Sequence, residues 1–402
     1  MNQTDLAAHP EIGWLVTLDK SNDLQGLRNA MRARHGNLDA GHLRSIAIVG
    51  AAAEGQRLAR ICQTQKITIE AIVDDNPAKR GSVVAGRTVE VLDALASLPK
   101  STPVVVASHR VLRVTQRLRN LGFNTVVPFA VLEVLAPEKF PPHMFYDGLL
   151  DDLCSHRREY HALHDRLADD RSRQVLDAVL GFRQTLDPAV LQKVVSENDL
   201  YAPEGLFEFS DNEAYVDGGS YDGDTIRSFV ERVHGRFADI YAFEPDPVTF
   251  EKLKANFRNE PRVHPFHAGL HSHAGSLRFR DDASRGAIFA DDGDIEMPVT
   301  TIDDVLADRP LTYVKMNIEG AEIDALRGGQ KAIGKWLPRL AISVYHRPSD
   351  LWRIPQLVSE LSPDYELYFR QHDGGIIETV LYALPRSRDG RRRNSSSDKV
   401  SK

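Results

Sequence analysis

Twice along this chain an apolar run of strand length leads straight into a turn of small residues and then into a helix-period pattern. That repeated unit restricts the fold more than any other feature. The first copy is Ser45-Ile46-Ala47-Ile48-Val49-Gly50, followed by a helix with Leu58, Ala59, Ile61 and Cys62 on its apolar side. The second is Ala214-Tyr215-Val216-Asp217, the turn Gly218 to Gly223, and a helix built on Ile226, Phe229, Val230 and Val233. A strand without polar alternation is buried on both faces, and a helix directly after it returns the chain to start a parallel neighbour. Further strands are expected at Ile69–Val73, Pro103–Ala107 and Thr125–Pro128, with a helix over Leu112–Asn120. After the second copy they fall at Ile240–Glu244, Val263–Phe266, Tyr313–Ile318 and Leu340–Tyr345. Such alternation predicts two Rossmann-like, three-layer α/β domains with parallel sheets. The second closes differently, because Tyr365–Gln371 and Glu378–Leu384 flank Asp373-Gly374-Gly375, a hairpin signal that puts an antiparallel edge on the sheet.

The 402 residues divide accordingly. Residues 1–44 read as a helical lead-in through Leu24, Leu27 and Met31, and 45–136 as the first α/β domain. Residues 137–200 read as a helical connector through Val175, Leu176, Val179 and Leu180, and 201–385 as the second domain. Residues 386–402 read as a disordered basic tail. Arg278 to Met297, rich in aspartate and poor in apolar periodicity, reads as a surface loop. Lys plus Arg total 50 against 57 Asp plus Glu, a formal charge of −7, so a nucleic-acid partner is not expected. Cys62 and Cys154 lie in no CxxC or Cys/His spacing, which argues against a disulfide framework and a structural zinc. No stretch of about 20 apolar residues occurs and Met1–Lys20 lacks a leader pattern, so no membrane span and a cytoplasmic location are expected. Sequence leaves the oligomeric state open.

The turn after Val216 sits where an open α/β sheet binds ligands, outside the carboxyl ends of its strands. Asp217, Asp222 and Asp224 would repel a pyrophosphate, so the turn suits a ligand carrying an ammonium and a sulfonium. Glu244, 27 residues after Asp217 and at the end of the next strand, can accept both hydroxyls of a ribose. The alternative for Asp217, Asp224 and Glu244 is helix capping.

In order, VDGGSYDGDT, YAFEPDPVTFEKLKANF, VTTIDDVL, YVKMNIEGAEIDALRGG and LAISVYH resemble the FkbM-type S-adenosylmethionine-dependent methyltransferases, over about residues 200–385. The resemblance implies a class I methyltransferase fold for the second domain. It places the methionine part of S-adenosyl-L-methionine at Asp217, Gly218, Gly219, Tyr221 and Asp222, the ribose at Glu244 and the adenine near His267. That family usually reads K-x-D-x-E-G-x-E, whereas Lys315 to Glu322 here carries Asn317 at the central position, an amide that is no general base and a poor ligand for a hard cation.

Methyl transfer needs an oxygen nucleophile held in line and a group to take its proton. His346, at the end of a strand, is the first candidate base, with Asn317 and Glu319 as its catalytic neighbours. Arg347, Asp350, Trp352 and Arg353 form a compact set for a small-molecule or glycan acceptor, Trp352 offering a face to a sugar ring, and Glu322 with Glu319 is expected on one side of the same site. His264, His267, His271 and His273 lack the helical spacing of a metal pair, so no metal is expected. In the first domain, Gly50-Ala51-Ala52-Ala53-Glu54-Gly55 and Asp74 resemble the Rossmann-type domains of sugar-modifying enzymes. This implies either a nucleotide or nucleotide-sugar at Gly50, Gly55 and Asp74, or a vestigial fold that docks its neighbour. The expected function is O-methylation of a sugar, nucleotide-sugar or glycan-precursor hydroxyl. Two alternatives stay open: a nicotinamide-dependent sugar oxidoreductase working through the first domain, and a catalytically silent cofactor-binding module.

Overall fold

The computed structural model describes residues 13–20, 23–109, 111–196, 200–282, 286–289 and 295–386. The basic tail beyond Arg386, the first twelve residues and Asp291, Asp292 and Asp294 lie outside them.

Helices α1 (Trp14–Lys20) and α2 (Leu24–Arg34) precede the first sheet. That sheet is made of β1 (Ser45–Val49), β2 (Thr68–Val73), β3 (Val83–Val84), β4 (Arg87–Glu90), β5 (Val104–Val106) and β6 (Val126–Pro128) in the order β3-β4-β2-β1-β5-β6. All its neighbours are parallel except the short β3/β4 hairpin. Helices α3 (Ala53–Gln65), α4 (Leu112–Asn120) and α5 (Phe129–Leu135) belong to this half. The connector supplies α6 (Leu149–Ser155), α7 (Arg157–Arg166) and α8 (Asp170–Thr185), the last begun by Asp169, which accepts the Ser172 N–H at 2.7 Å.

The second half runs β7 (Ala214–Gly218), α9 (Asp224–Arg232), β8 (Asp239–Phe243), α10 (Pro247–Asn256) and β9 (Val263–Phe266). Then come β10 (Gly269–Leu270), β11 (Gly275–Asp282), β12 (Gly286–Phe289), β13 (Ile295–Thr300) and α11 (Ile302–Leu306). The chain closes through β14 (Tyr313–Met316), α12 (Glu322–Gly328), α13 (Gln330–Trp336), β15 (Arg339–Ser343), α14 (Asp350–Leu361), β16 (Tyr365–Gln371) and β17 (Thr379–Pro385). Seven strands form one sheet in the order β16-β17-β15-β14-β7-β8-β9, with β17 antiparallel to both neighbours. This is the mixed class I methyltransferase arrangement, and the hairpin inserts its last strand inside the edge.

Two expectations need correction. Arg278 to Met297 is not simply a loop: β11 and β13 pair antiparallel from Gly275 to Phe279, within a small sheet ordered β10-β13-β11-β12. Leu277 and Phe279 alternate there with Ser276, Arg278 and Arg280, the period-2 pattern of a strand. The connector is also more than a link. A single apolar cluster runs from Leu15, Leu27 and Met31 through Ile46 and Ile48, then through Leu153, Leu176 and Leu180, to Val314, Ile342 and Leu381. Each sheet buries its other face in a cluster of its own, Val49, Val73 and Val106 in the first and Tyr215, Phe229 and Ile240 in the second. No described helix is long and apolar enough to cross a membrane.

The β16/β17 hairpin also seals the two halves together. A Cβ on Gly375 would lie 1.8 Å from the His109 carbonyl oxygen, in the segment after β5. Gly375→Ala is therefore expected to push the hairpin off the first sheet and to cost about 1–3 kcal/mol, as overpacking does. Urea unfolding checks this, and an unchanged midpoint would contradict it.

Candidate active site

The carboxyl ends of β7, β8, β14 and β15 converge on one rim. Adjacent parallel strands put Asp217 directly beside Lys315, because the register pairs these two residues. Both side chains are almost wholly buried. Lys315 Nζ donates to Asp217 Oδ1 at 2.9 Å and to the carbonyls of Gly218 at 3.1 Å and Gly219 at 2.8 Å. The Thr225 hydroxyl donates to Asp217 Oδ2 at 2.7 Å. Burial pushes the Asp217 carboxyl above its ordinary value, against the pull of Lys315 and Thr225. Asp217 thus faces under the turn with both oxygens engaged, where the ligand reading had it facing the methionine end of the cofactor. Gly219 has φ +74°, and a Cβ there would meet the Asn317 carbonyl at 2.0 Å, so the glycine serves the crossing of two strand ends.

Glu244 follows β8 and is mostly buried. Its Oε2 accepts the Tyr221 N–H at 3.0 Å and its Oε1 the Asp246 N–H at 2.9 Å. Burial, only partly offset by those two bonds, pushes its carboxyl up to about 7. Tyr221 stands 58% exposed beside it with φ +50°. Asp222 is turned to Arg227 at 2.9 Å, and exposed His267 stacks on Phe250 with centroids 4.8 Å apart. The carboxylate of Glu244 keeps acceptor capacity beyond its two N–H partners.

On the other side of the rim, β14 ends in Asn317, Ile318 and Glu319, the last with φ +53°. The Tyr345 hydroxyl donates to Asn317 Oδ1 at 3.1 Å. His346 is fully buried, its Nδ1 2.9 Å from Glu322 Oε1 and its Nε2 3.6 Å from Glu319 Oε2. Neither nitrogen is in a well-directed hydrogen bond, so the contacts are ionic. Burial pulls the imidazole down, but Glu322, Glu319 and Asp350 outweigh it and raise it to about 9. Glu322 Oε1 also accepts the Ile318 N–H at 2.8 Å, and His346 holds the Glu322 carboxyl below its usual range despite burial. Burial and the nearby Glu322 charge push Asp350 up to about 7, while its Oδ2 accepts the Arg347 N–H at 2.8 Å. Carboxylates around a buried imidazole favour its protonated form, which weighs against the role of base expected for His346.

Trp352 is likewise committed inside the protein. Its Nε1 donates to Asp152 at 3.1 Å and its ring stacks on His156 at 4.5 Å, which docks α14 on the connector. In the first half, Asp74 accepts the Ala51 and Asn76 N–H groups at 2.7 and 2.9 Å, and a Cβ on Gly55 would strike the Gly50 carbonyl at 1.8 Å. Gly50, Gly55 and Asp74 therefore tie strand to helix. The histidines disperse, His264 bonding Asp239 at 2.8 Å while His271 and His273 touch each other at 3.2 Å. Among the described residues no group of three or more metal-binding side chains converges. A cavity of about 480 Å³ lies between α7 and α14. Sequence reasoning quoted Lys315 without giving it a task and passed over Thr225; the Asp217/Lys315 register was the available signal.

Two predictions follow from the charges. Lys315→Met strands a buried carboxylate and is expected to cost about 3–5 kcal/mol, with Asp217→Asn/Lys315→Met losing less than the single variant. Urea unfolding of the set checks the order. His346, bound more tightly to its proton when folded than the ordinary 6.5, contributes stability fully below about pH 6.5 and loses it as pH rises toward 9. Nitrogen-15 NMR should find its imidazole titrating near 9, and a value below 7 would restore it as a base.

Known proteins agree with this architecture. The methyltransferase FkbM domain family matches residues 217–374, and the C-methyltransferase C-terminal domain family matches residues 30–117. The hexuronic acid methyltransferase AglP of Haloferax volcanii is 27% identical over 137 residues, covering 32% of this chain and 56% of that protein. This chain thus spans little more than half the length of that relative. The crystal structure of methyltransferase FkbM from Methylobacillus flagellatus KT superposes with a TM-score of 0.71 at 24% identity, over 92% of this chain and all of the other. Both halves and the connector therefore recur together in one fold, and over residues 217–374 the chain carries a methyltransferase domain of the FkbM family.

Proposed function

We propose that the chain transfers a methyl group from S-adenosyl-L-methionine to a hydroxyl of a sugar, nucleotide-sugar or glycan precursor. The observation that carries this is Glu244: a mostly buried carboxylate at the end of β8, beside the glycine turn of β7, with acceptor capacity left after its two backbone bonds. Vicinal ribose hydroxyls fit that donor set, and Tyr221 offers an exposed ring next to it. The match to a hexuronic acid methyltransferase supports a sugar as acceptor.

The cofactor, when bound, supplies a methyl group already activated on a sulfonium. What remains for the protein is to orient the acceptor and take up its proton. Glu319 is the carboxylate suited to that, since it is partly exposed at the rim while His346, Glu322 and Asp350 lie buried behind it. The His346 cation holds Glu319 from behind, and Glu322 fixes the Ile318 N–H, so the pair positions the turn. The Tyr345 hydroxyl orients the Asn317 amide toward the same rim. Gly50, Gly55 and Asp74 have structural tasks, so the nicotinamide alternative gains no support from them.

Calorimetry with S-adenosylmethionine and S-adenosylhomocysteine should show binding to the intact protein and its loss in Glu244→Ala. Glu319→Gln should keep cofactor binding while turnover on sugar acceptors falls about 10²–10⁴-fold, the usual contribution of a positioned proton acceptor. Intact protein that binds cofactor but turns over only after Asn317→Asp would identify a silent module. Failure of the folded protein to bind either ligand would overturn the proposal.

A further inference from the structure

A cavity of about 280 Å³ adjoins the Glu319-Gly320 turn, walled by Met144, Asp147, Gly148 and Asp152 of the connector and by Arg347, Pro348 and Ser349 after β15. Its size is close to the low end of the ~300–1,000 Å³ of small-molecule sites, suited to one sugar ring. Gly320, with φ +91°, forms the step between cavity and rim. A Cβ there would lie 3.2 Å from Arg347 Nε and 2.9 Å from Met144 Cε, so the guanidinium lies over a bare backbone one residue from Glu319.

The charges in this cavity are unevenly committed. Asp152 is spent on Trp352 Nε1 at 3.1 Å and on the Tyr160 hydroxyl. The Pro348 carbonyl accepts from buried Arg183 Nη1 at 2.6 Å, which braces that wall from α8. Arg347 bonds Asp350 through its backbone N–H, but its guanidinium makes no hydrogen bond or ion pair with a described residue. It is the sole cation among the wall residues, and Asp147 is an exposed carboxylate of the same wall. A guanidinium with its planar fork of donors unspent matches an anionic group with two oxygens, which a neutral sugar does not offer.

We propose that this cavity is the acceptor subsite and that Arg347 binds an anionic group carried by the sugar, so that the substrate is an acidic sugar. The inference rests on the methyl-transfer reading and narrows its acceptor. A carboxylate of a sugar acid and the phosphoryl group of a sugar phosphate share the required chemistry. Asp147 then faces hydroxyls of the ring, and Glu319 faces the hydroxyl to be methylated. The connector builds half of the subsite.

The test measures binding of glucuronic acid, glucose 1-phosphate and glucose to the full chain by ligand-observed NMR and calorimetry, with and without S-adenosylhomocysteine. Arg347→Gln and Arg347→Lys are compared with the intact protein. At least one acidic sugar should bind tenfold or more tighter than glucose, and the tighter of the two identifies the anionic group. Arg347→Gln should bring the acidic sugars down to the affinity of glucose, and Arg347→Lys should restore part of the preference. Equal binding of all three sugars, or a preference that survives Arg347→Gln, overturns the inference even if S-adenosylhomocysteine binds normally. Absence of cofactor binding overturns the reading beneath it, whatever the sugars do.

Discussion

The site depends on one buried ion pair. Asp217 and Lys315 meet because β7 and β14 run parallel in a register that pairs them, and no water reaches the contact. A lone charge at that depth would be costly, so each residue makes the other tolerable. The larger consequence lies in the second and third bonds of the ammonium, which draw in the carbonyls of Gly218 and Gly219. Lys315 thereby fixes the bend that follows β7, and the bend in turn presents the Tyr221 N–H to Glu244. Two strand ends, those of β7 and β14, are held together through one side chain. Acidic residues in this turn are consequently divided in function: Asp217 shapes it, Asp222 pairs with Arg227, and Glu244 is left facing the rim.

Much of the fold was legible because buried parallel strands announce themselves. Ser45–Val49, Leu112–Asn120 and Tyr365–Gln371 were readable to within a residue, since continuous apolar runs and glycine-rich turns carry their own boundaries. The strands from Gly275 to Thr300 were not, because Leu277 and Phe279 alternate with polar residues and form no continuous apolar run. At the site, residue types marked the correct strand ends but not the direction in which each side chain points. His346 illustrates the limit: its place at the end of a strand was readable, whereas its surroundings depend on Glu319 and Glu322 arriving from the junction after β14 to join Asp350 of its own segment. Trp352 shows the same, since its partners Asp152 and His156 come from the connector.

That connector unites the two halves physically. Its helices share one apolar cluster with both sheets, and in α8 the Ser172 hydroxyl oxygen accepts the Phe369 N–H while Asp169 receives the β16 edge through Arg370. Gly375, in the turn of the same hairpin, closes against His109. A first half docked this tightly has a structural reason to persist without a ligand of its own: its strand ends support the segment that carries Phe145, whose ring lies 5.6 Å from Tyr345 and 5.9 Å from His346.

The buried charges then explain how a carboxylate can remain available at the rim. Glu322, Asp350 and Glu319 cluster within reach of a single imidazole, and three negative charges there would repel one another strongly. Raising His346 to about 9 and Asp350 to about 7 leaves one cation, one ionised partner and a carboxyl that shares in proton uptake near neutrality. Burial selects which groups carry that compensation, because Glu322 and His346 have no solvent to lean on while Glu319 does. Glu319 is the member of the set that reaches solvent. A histidine at the same strand end with no carboxylates around it would lose its proton on burial; here the acidic neighbours reverse the sign.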